Sequence, residues 1–311
     1  MPDGALVLDK PRGLTSHDAV QAARRVLGEP RIGHLGTLDP FATGVLVLLI
    51  GRATRLAQFY KDREKVYEGT IRFGYSTDTY DLTGKPISPM KDCTLEESVL
   101  RDLFQDLQGS YLQKPPAHSA KKLSGVAAHR RARRGEKVEL APAPVAIHQL
   151  ELRSIAGAEV QFYARVSSGT YIRSLAHDLG ERLGTGAHLA ALRRIAVGEF
   201  TLESAVSLGE LEPRWQRGDV PFIAPEDLLP EFPPVLLSEQ ALHRVRHGMD
   251  LEVENDAATV KLMDQTGRLC AIARRVASGL YHPAVVLPED SSHPPPPGSP
   301  SDAMPQHAQS S

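Results

Sequence analysis

The stretch Gly33-His34-Leu35-Gly36-Thr37-Leu38-Asp39-Pro40-Phe41-Ala42-Thr43-Gly44 runs directly into the apolar segment Val45 to Ile50. A short, uninterrupted apolar run with β-branched members is typical of a buried strand. The glycines ahead of it allow backbone conformations that are closed to other residues. The only carboxylate of the stretch, Asp39, is therefore predicted to be a reactive group held at the rim of a sheet. The dipeptide Asp39-Pro40 alone would indicate no more than a turn.

Further hydrophobic patterns predict the fold class. Residues 65–73 alternate between an apolar face that includes Tyr67 and a polar face, as a half-buried strand does. Residues 145–155 and 159–167 predict a pair of strands joined at Ala156-Gly157. Sequence-adjacent strands with hairpin-like connections predict an α+β fold, with a mainly antiparallel sheet flanked by helices. Helices are predicted at 16–27 with Ser16 as cap, at 53–60, after a capping box of Thr94 and Glu97, at 171–183 and at 188–192, and shorter strands at 5–8 and 195–201.

Composition divides the chain into four parts. Residues 1–211 carry the patterns described above and are predicted to form one large domain, with a basic insertion at 113–141. Residues 212–234 contain six prolines and predict an extended linker. Residues 235–288 show short alternating stretches and predict a small β-rich domain. Residues 289–311 are rich in proline and serine without apolar periodicity, and we expect them to be disordered.

The charge of the chain is close to balanced, with a formal net value of −2, but its distribution is uneven. Between Lys114 and Lys137 the only acidic residue is Glu136. The candidate nucleic-acid contacts in this segment are Lys121, Lys122, Arg130, Arg131, Arg133 and Arg134. Such a run is either a solvated loop or a phosphate-binding element, because clustered cations displace counterions from a polyanion. Its place in the same domain as the Asp39 stretch favours the second interpretation.

Cysteine content and hydropathy bear on the compartment. The two cysteines, Cys93 and Cys270, are too few for a disulfide framework or a zinc site and fit a reducing cytosol. No apolar segment is long enough to span a bilayer, and the N-terminus lacks the pattern of a secretory signal. We therefore expect a cytoplasmic protein that does not contact a membrane.

The Asp39 stretch closely resembles the signature G-H-x-G-x-L-D-P-x-A-T-G of the bacterial TruB family, the tRNA pseudouridine-55 synthases, and every fixed position of that signature is present. Three further segments agree with the family in order and spacing, and the resemblance extends over about residues 5–208. These segments are Val7-Leu8-Asp9-Lys10-Pro11-Arg12-Gly13, Lys65-Val66-Tyr67 and Ser168-Gly169-Thr170-Tyr171-Ile172-Arg173. The resemblance implies the pseudouridine synthase fold with a small PUA-like domain after it.

The resemblance also implies a function. The family isomerises uridine to pseudouridine in the T-loop of tRNA, on a base flipped out of the stack, with no cofactor and no metal. Its catalytic aspartate falls on Asp39. The expected partner is the T-arm stem-loop of tRNA, which the basic insertion would cover as a thumb-like element. No obligatory protein partner is expected, and a monomer is favoured.

Roles for other residues follow from the same resemblance. Arg173 is expected to pair with Asp39 and keep it ionised in a dry site, because an adjacent cation opposes the effect of desolvation on a carboxyl pKa. Tyr67 is expected to stack on the target base. The remaining matched positions are expected to line the pocket (Tyr171 and Leu192), to hold displaced RNA (His34), to support the site or contact RNA (Lys10) and to anchor the active-site network (Asp81).

Several alternatives remain open at this point. Asp39 could attack ribose C1′, attack the uracil ring or help to remove the ribose 2′ proton. The chain could instead be a non-catalytic tRNA-folding chaperone or a guide-RNA-dependent pseudouridine synthase. Phosphate-transferring aspartyl enzymes are disfavoured, because they need a second aspartate at the position of Phe41. Glycosidases are disfavoured too, because no second carboxylate accompanies the motif.

Overall fold

The computed structural model describes residues 3–116, 122–123, 126–127 and 140–288, so the predicted tail lies outside the described residues. The chain divides between Glu231 and Phe232 into two compact units. Within the described ranges, no helix combines the length and apolar character needed to cross a membrane.

The large unit is built on a ten-stranded sheet. The strands of this unit are β1 (Gly4–Lys10), β2 (Ile32–His34), β3 (Thr43–Ile50), β4 (Lys65–Phe73), β5 (Gly109–Gln113), β6 (Lys122–Leu123), β7 (Val126–Ala127), β8 (Ala143–Ala156), β9 (Glu159–Val166), β10 (Ala187–Val197), β11 (Phe200–Thr201) and β12 (Val206–Ser207). The order is β12-β1-β3-β10-β4-β9-β8-β5, with β2 beside β3 and β11 beside β10, while β6 and β7 pair separately. The pairs β1–β12 and β3–β10 are parallel and the other pairings of the sheet are antiparallel, which confirms the predicted fold class.

Helices cover this sheet. They are α1 (Ser16–Leu27), α2 (Glu97–Asp106), α3 (Ile172–Leu183) and α4 (Leu208–Arg217), with 3₁₀ segments at Gly51–Tyr60, Leu202–Ser204 and Pro225–Asp227. Helices α1 and α4 bury their apolar side chains with those of β1 and β3 in one cluster. Helices α2 and α3 form a second cluster with β4, β8, β9 and β10. Tyr67 belongs to this second cluster with Ile71 and Phe73, as the alternation in β4 predicts.

Two helix starts differ from the predictions. Thr15, not Ser16, caps α1, because its hydroxyl accepts from the Asp18 N–H while the Asp18 carboxylate accepts from the Thr15 N–H. Ser16 lies inside the first turn and points into the protein. The capping box predicted for Thr94 and Glu97 is absent, since α2 begins at Glu97 without a side-chain cap.

The helix predicted at 188–192 was wrong, because these residues lie in β10. Alanine and leucine favour a helix locally, but propensity is a weak determinant against tertiary pairing. Here β10 lies between β3 and β4, in the interior of the sheet, and pairs along the whole of β4. A bulge between Leu189 and Ala191 interrupts the alternation that would have marked a strand in the sequence.

Residues 212–231, predicted to be linker, are part of the large unit in the structure. Helix α4 continues through Pro213 to Arg217, and Gly218 ends it with a left-handed backbone conformation. The Ile223 N–H then donates to the Ala5 carbonyl at 2.9 Å, and the Ala5 N–H donates to the Ile223 carbonyl at 2.8 Å. This segment is therefore attached to β1 rather than extended between domains.

The small unit is β-rich, as predicted. Its elements are β13 (Pro234–Leu236), α5 (Glu239–Arg246), β14 (Leu251–Glu252), β15 (Thr259–Met263), β16 (Leu269–Ala277) and β17 (Leu280–Val286). The strands form one sheet in the order β13-β15-β16-β17-β14. A separate apolar core around Leu262 and Tyr281 holds it together.

Candidate active site

The loop that carries Asp39 joins β2 to β3 and is fixed at both sides of the carboxylate. The Ser16 hydroxyl accepts from the Leu38 N–H at 2.8 Å and donates to the Leu38 carbonyl at 3.2 Å. On the other side, the Pro40 carbonyl accepts from the Gly13 N–H at 2.7 Å. Residues immediately before and after Asp39 are therefore bonded to the segments that precede and begin α1.

Arg173 lies in the first turn of α3 and reaches Asp39, as expected. Its Nη2 donates to Asp39 Oδ1 at 3.1 Å, and its Nε lies 2.9 Å from Asp39 Oδ2. Its Nη1 donates to Asp81 Oδ2 at 3.3 Å. One buried guanidinium thus contacts two carboxylates that are distant in the sequence.

Asp81 is itself held in place by its own loop. Its Oδ1 accepts from the Thr79 hydroxyl at 2.8 Å and from the Thr83 N–H at 2.9 Å, and it also binds the Thr83 hydroxyl. Its side chain is 5% exposed. Because Oδ1 is occupied by these local donors, Oδ2 remains directed at Arg173 and fixes the plane of its guanidinium. The structure therefore places Asp81 at the anchoring position that the sequence predicts.

The electrostatic environment of Asp39 combines opposing effects. Burial raises the pKa of the Asp39 carboxyl, the Arg173 guanidinium lowers it, and the like charge of Asp81 raises it again, leaving this pKa above its ordinary value. The Asp39 side chain nevertheless remains 31% exposed, so it lies deep in the protein but faces an opening. Arg173 therefore keeps an ionised form accessible in surroundings that disfavour charge.

Lys10 lies below the site and not on the surface. Its side chain is fully buried, and its ammonium donates to the carbonyls of Pro11 at 2.9 Å and Leu14 at 2.8 Å. Burial lowers the pKa of Lys10 to about 8, although Asp39 acts in the opposite direction. Contact between this ammonium and RNA, which the sequence left open, is not compatible with its burial; support of the site is.

Tyr67 and Leu192 form apolar surface beside the loop. Both are nearly buried, and both belong to the cluster that contains Leu38 and Phe41, the neighbours of Asp39. They lie on adjacent strands, β4 and β10. An aromatic and an aliphatic side chain in this position provide the flat apolar surface that a nucleobase needs.

Tyr171 occupies the cap position of α3, two residues before Arg173. The side chain of Gln113 accepts from the Tyr171 N–H at 2.8 Å and donates to the Tyr171 carbonyl at 3.1 Å. Gln113 is buried and holds the start of α3 by its backbone. Sequence reasoning missed Gln113, because a glutamine that binds backbone atoms from a distant strand leaves no local pattern.

His34 is the last residue of β2 and is partly buried. Burial lowers its pKa, and the charge of Arg194 lowers this pKa further, so the ring is neutral near pH 7. A neutral ring at the edge of the loop suits contact with RNA by stacking or hydrogen bonding rather than by charge.

The structure leaves the predicted basic contacts undescribed. The residues outside the described part of the chain are Lys121, Arg130, Arg131, Arg133 and Arg134. Lys122 is described only as a backbone position in β6. Among the residues that the structure describes, no group of three His, Cys, Asp or Glu side chains is placed to hold a metal ion.

A cavity of about 410 Å³ opens beside the site and is within the usual size range for small-ligand pockets. Phe41 and Leu192 contribute its apolar lining, and the cations Arg12, Arg153 and Arg193 also line it. Asp39, Tyr67 and Arg173 do not line it, so it adjoins the carboxylate pair and does not contain it.

Comparisons with known proteins agree on one family. A TruB family pseudouridylate synthase N-terminal domain matches residues 24–172, and a tRNA pseudouridylate synthase B C-terminal domain matches residues 173–221. The tRNA pseudouridine synthase B of Solibacter usitatus (strain Ellin6076) is 45% identical over 292 residues, covering 92% of this chain and 100% of the relative. That of Thermobifida fusca (strain YX) is 43% identical, covering 92% of this chain and 99% of the relative. The crystal structure of the archaeal box H/ACA sRNP Nop10-Cbf5 complex matches with TM-score 0.65 and 26% identity, over 87% of this chain and 78% of that one.

Proposed function

The chain belongs to the TruB family of pseudouridylate synthases, and we propose that it is a tRNA pseudouridine synthase that acts on a uridine of the T-loop. The observation that carries this proposal is the contact between Asp39 and Arg173 at 2.9 and 3.1 Å, beside an apolar surface and open to solvent on one side. Family membership gives the reaction and its tRNA substrate. The geometry supports the site at which this chain would perform that reaction.

Converting uridine to pseudouridine exchanges one bond for another. The bond from ribose C1′ to uracil N1 breaks, and a bond from C1′ to C5 forms. The C5 hydrogen leaves as a proton and N1 gains a proton, so the reaction is an isomerisation without net oxidation or hydrolysis. An ionised Asp39 could attack C1′, attack the ring or take the 2′ proton, and each route needs the carboxylate form. The Arg173 contacts support that form.

We assign the surrounding residues by what they present to a flipped nucleoside. Tyr67 and Leu192 offer apolar surface for the uracil, and aromatic stacking contributes about 1–3 kcal/mol per base. Tyr171, at the cap of α3, lies close to this surface in the sequence and would line the pocket. His34 would contact the displaced RNA strand. Lys10, which is buried, would support the Asp39 loop from beneath.

The basic segment would bind the phosphates of the T-arm. Six cations within 121–134 predict that affinity for RNA falls steeply as salt increases, because each phosphate contact releases counterions. Changing Arg130, Arg131, Arg133 and Arg134 to alanine should reduce the slope of log Kd against log salt. A slope equal to that of the unchanged protein would contradict this assignment.

Two other functions would use the same scaffold. A tRNA-folding chaperone would bind RNA without chemistry, and a guide-RNA-dependent synthase would be inactive on tRNA alone. The relatives named tRNA pseudouridine synthase B are 43–45% identical over nearly their whole length, compared with 26% for the Cbf5 complex, which favours the stand-alone enzyme. We also propose that it works in the cytoplasm, where its tRNA substrate is matured.

Tritium release tests the proposal directly. A T-arm stem-loop RNA tritiated at uracil C5 is incubated with the protein alone, without guide RNA or other protein, and released label is counted. We expect release by the unchanged protein and none by Asp39→Asn, which should still bind the RNA within about threefold of the normal Kd, because a neutral amide of the same shape preserves the packing.

The control variant is Asp102→Asn, which changes an exposed aspartate on α2 and should release label at the normal rate. Normal release by Asp39→Asn would refute the role of Asp39. Binding without release by the unchanged protein would favour the chaperone.

A further inference from the structure

Arg194 is a fully buried arginine on β10, in cross-strand register with Tyr67 of β4. Its guanidinium donates to three backbone carbonyls. Nη2 donates to Gly36 at 3.0 Å, Nη1 to Thr37 at 3.4 Å, and Nε to Val45 at 2.8 Å. The first two carbonyls belong to the loop that carries Asp39, and the third belongs to the strand that follows it.

We propose that Arg194 is a positioning residue that holds the Asp39 loop in its reactive geometry, an inference that rests on the proposed function. Thr37 lies two residues before Asp39, and Leu38 between them is held by Ser16. Three consecutive residues, 36 to 38, are thus fixed by side chains from β10 and α1. The carboxylate that follows them has its direction set before any RNA is present.

The electrostatic cost of Arg194 argues that it is retained for this purpose. Among the residues that the structure describes, no carboxylate lies within 4.0 Å of its guanidinium, so its charge is compensated by carbonyl dipoles alone. Removing a cation from water is costly unless it is well bonded, and an apolar residue would often be at least as stable in such a place. An arginine that only filled volume would therefore be disfavoured.

The shape of arginine fits this arrangement. The guanidinium is planar and its donors point outward in a fixed fork, so one group can hold carbonyls from two separate segments. Lysine keeps the charge but has a compact ammonium on a flexible stem, and cannot reproduce the fork. Gly44, at the start of β3, shows how closely the two strands approach, because a Cβ there would lie 2.1 Å from the Arg194 carbonyl oxygen.

The charge of Arg194 also reaches other groups beneath the loop. It acts with burial to lower the pKa of Lys10 and of Lys65, each to about 8. Charge and shape therefore have to be separated in the test. Arg194→Lys retains the charge and removes the fork, whereas Arg194→Ala removes both and leaves a space that a free guanidinium ion can enter.

The experiment measures single-turnover tritium release and RNA affinity for these two variants. Because a displacement of about 1 Å at a reacting group can cost about 100-fold in rate, we expect Arg194→Lys to lose at least about tenfold in rate while its Kd for the stem-loop stays within about threefold. Arg194→Ala should lose more, and guanidinium chloride at low millimolar concentration should restore part of its rate. Urea at the same concentration, similar in shape but neutral, should not.

The control is Arg101→Ala on α2, a residue 58% exposed and paired with Glu97, which should keep the normal rate with or without guanidinium. A normal rate for Arg194→Lys would overturn the inference. So would a loss of rate in a folded Arg194→Ala that guanidinium does not relieve. If the unchanged protein released no label, the proposed function would fail instead, and that measurement comes first.

Discussion

Replacing Arg173 by methionine should destabilise the folded protein, and more strongly at pH 8 than at pH 5. The guanidinium is 7% exposed and contacts both Asp39 and Asp81. Methionine has a similar length and no charge, so packing is largely retained while two carboxylates are left without their shared cation. At pH 8 both would be ionised in surroundings that have little water.

The magnitude follows from burial. Removing one partner of a buried ion pair typically costs about 3–5 kcal/mol. We expect about 3 kcal/mol at pH 8, at the low end, because Asp39 remains 31% exposed and water can partly replace the cation.

The pH dependence has a defined sign. Loss of Arg173 moves the pKa of Asp39 further above its usual range, so the folded variant binds a proton at a higher pH than the folded parent or the unfolded chain. Stability is therefore recovered as the pH falls through that raised pKa, by up to about 1.4 kcal/mol for each unit of pKa difference. The penalty at pH 5 should be at least about 1.4 kcal/mol smaller than at pH 8.

Urea unfolding followed by tryptophan fluorescence provides the assay. Trp215, the single tryptophan, packs against Phe222 in the large unit and reports on that unit. The matched control is Arg101→Met, whose exposed pair with Glu97 on α2 should be worth about 0.3–0.5 kcal/mol at either pH. Equal penalties for Arg173→Met at pH 8 and pH 5, or a penalty no larger than that of the control, would refute the reasoning.

Three further predictions concern the same unit. The rate of tritium release should fall on the acid side through a pKa above the usual aspartate range, because burial raises the pKa of Asp39, and Asp81→Asn should move that limb to lower pH by removing a like charge; an unmoved limb would contradict the assignment. Gln113→Leu should lower the free energy of unfolding by about 1–3 kcal/mol in urea titrations, since it leaves a helix-cap N–H unbonded, and unchanged stability would count against that clamp. Gly44→Ala should be far more destabilising than Gly13→Ala in thermal melts: both have positive φ, worth about 1–3 kcal/mol, but only a Cβ at Gly44 meets backbone, at 2.1 Å, so equal losses would exclude the clash.

The parts of the fold that could be predicted are those whose local pattern agrees with their tertiary surroundings. The bounds of β4 match the prediction, because its alternation reflects one face on the core and one outside it. Residues 188–192 failed for the opposite reason: alanine and leucine favour a helix, while the pairing of β10 with β4 requires a strand. The proline-rich segment 212–231 failed because docking onto β1 is a long-range contact with no local signature.

The candidate site divides in the same way. Asp39 and Arg173 could be predicted because their chemistry requires particular residue types within recognisable motifs, although 134 positions separate them. Ser16, Gln113 and Arg194 could not, because each binds backbone atoms of a segment distant in the sequence. Ser16 was taken for a cap because serine before a helix usually is one. Any polar residue of suitable length would give the same sequence signal, so only the coordinates reveal what these side chains hold.

The separation between chemical and supporting residues has an energetic consequence for the reaction. Arg173 and Asp81 set the charge around Asp39 from α3 and from the loop before Leu82, whereas Ser16 and Arg194 set its backbone from α1 and β10. These contacts exist without RNA. Binding energy from the tRNA therefore need not order the loop, and can be applied to extruding the uridine, whose unstacking costs a few kcal/mol. A loop that became ordered only on binding would draw on the same interactions twice, and the enzyme would lose either affinity or rate.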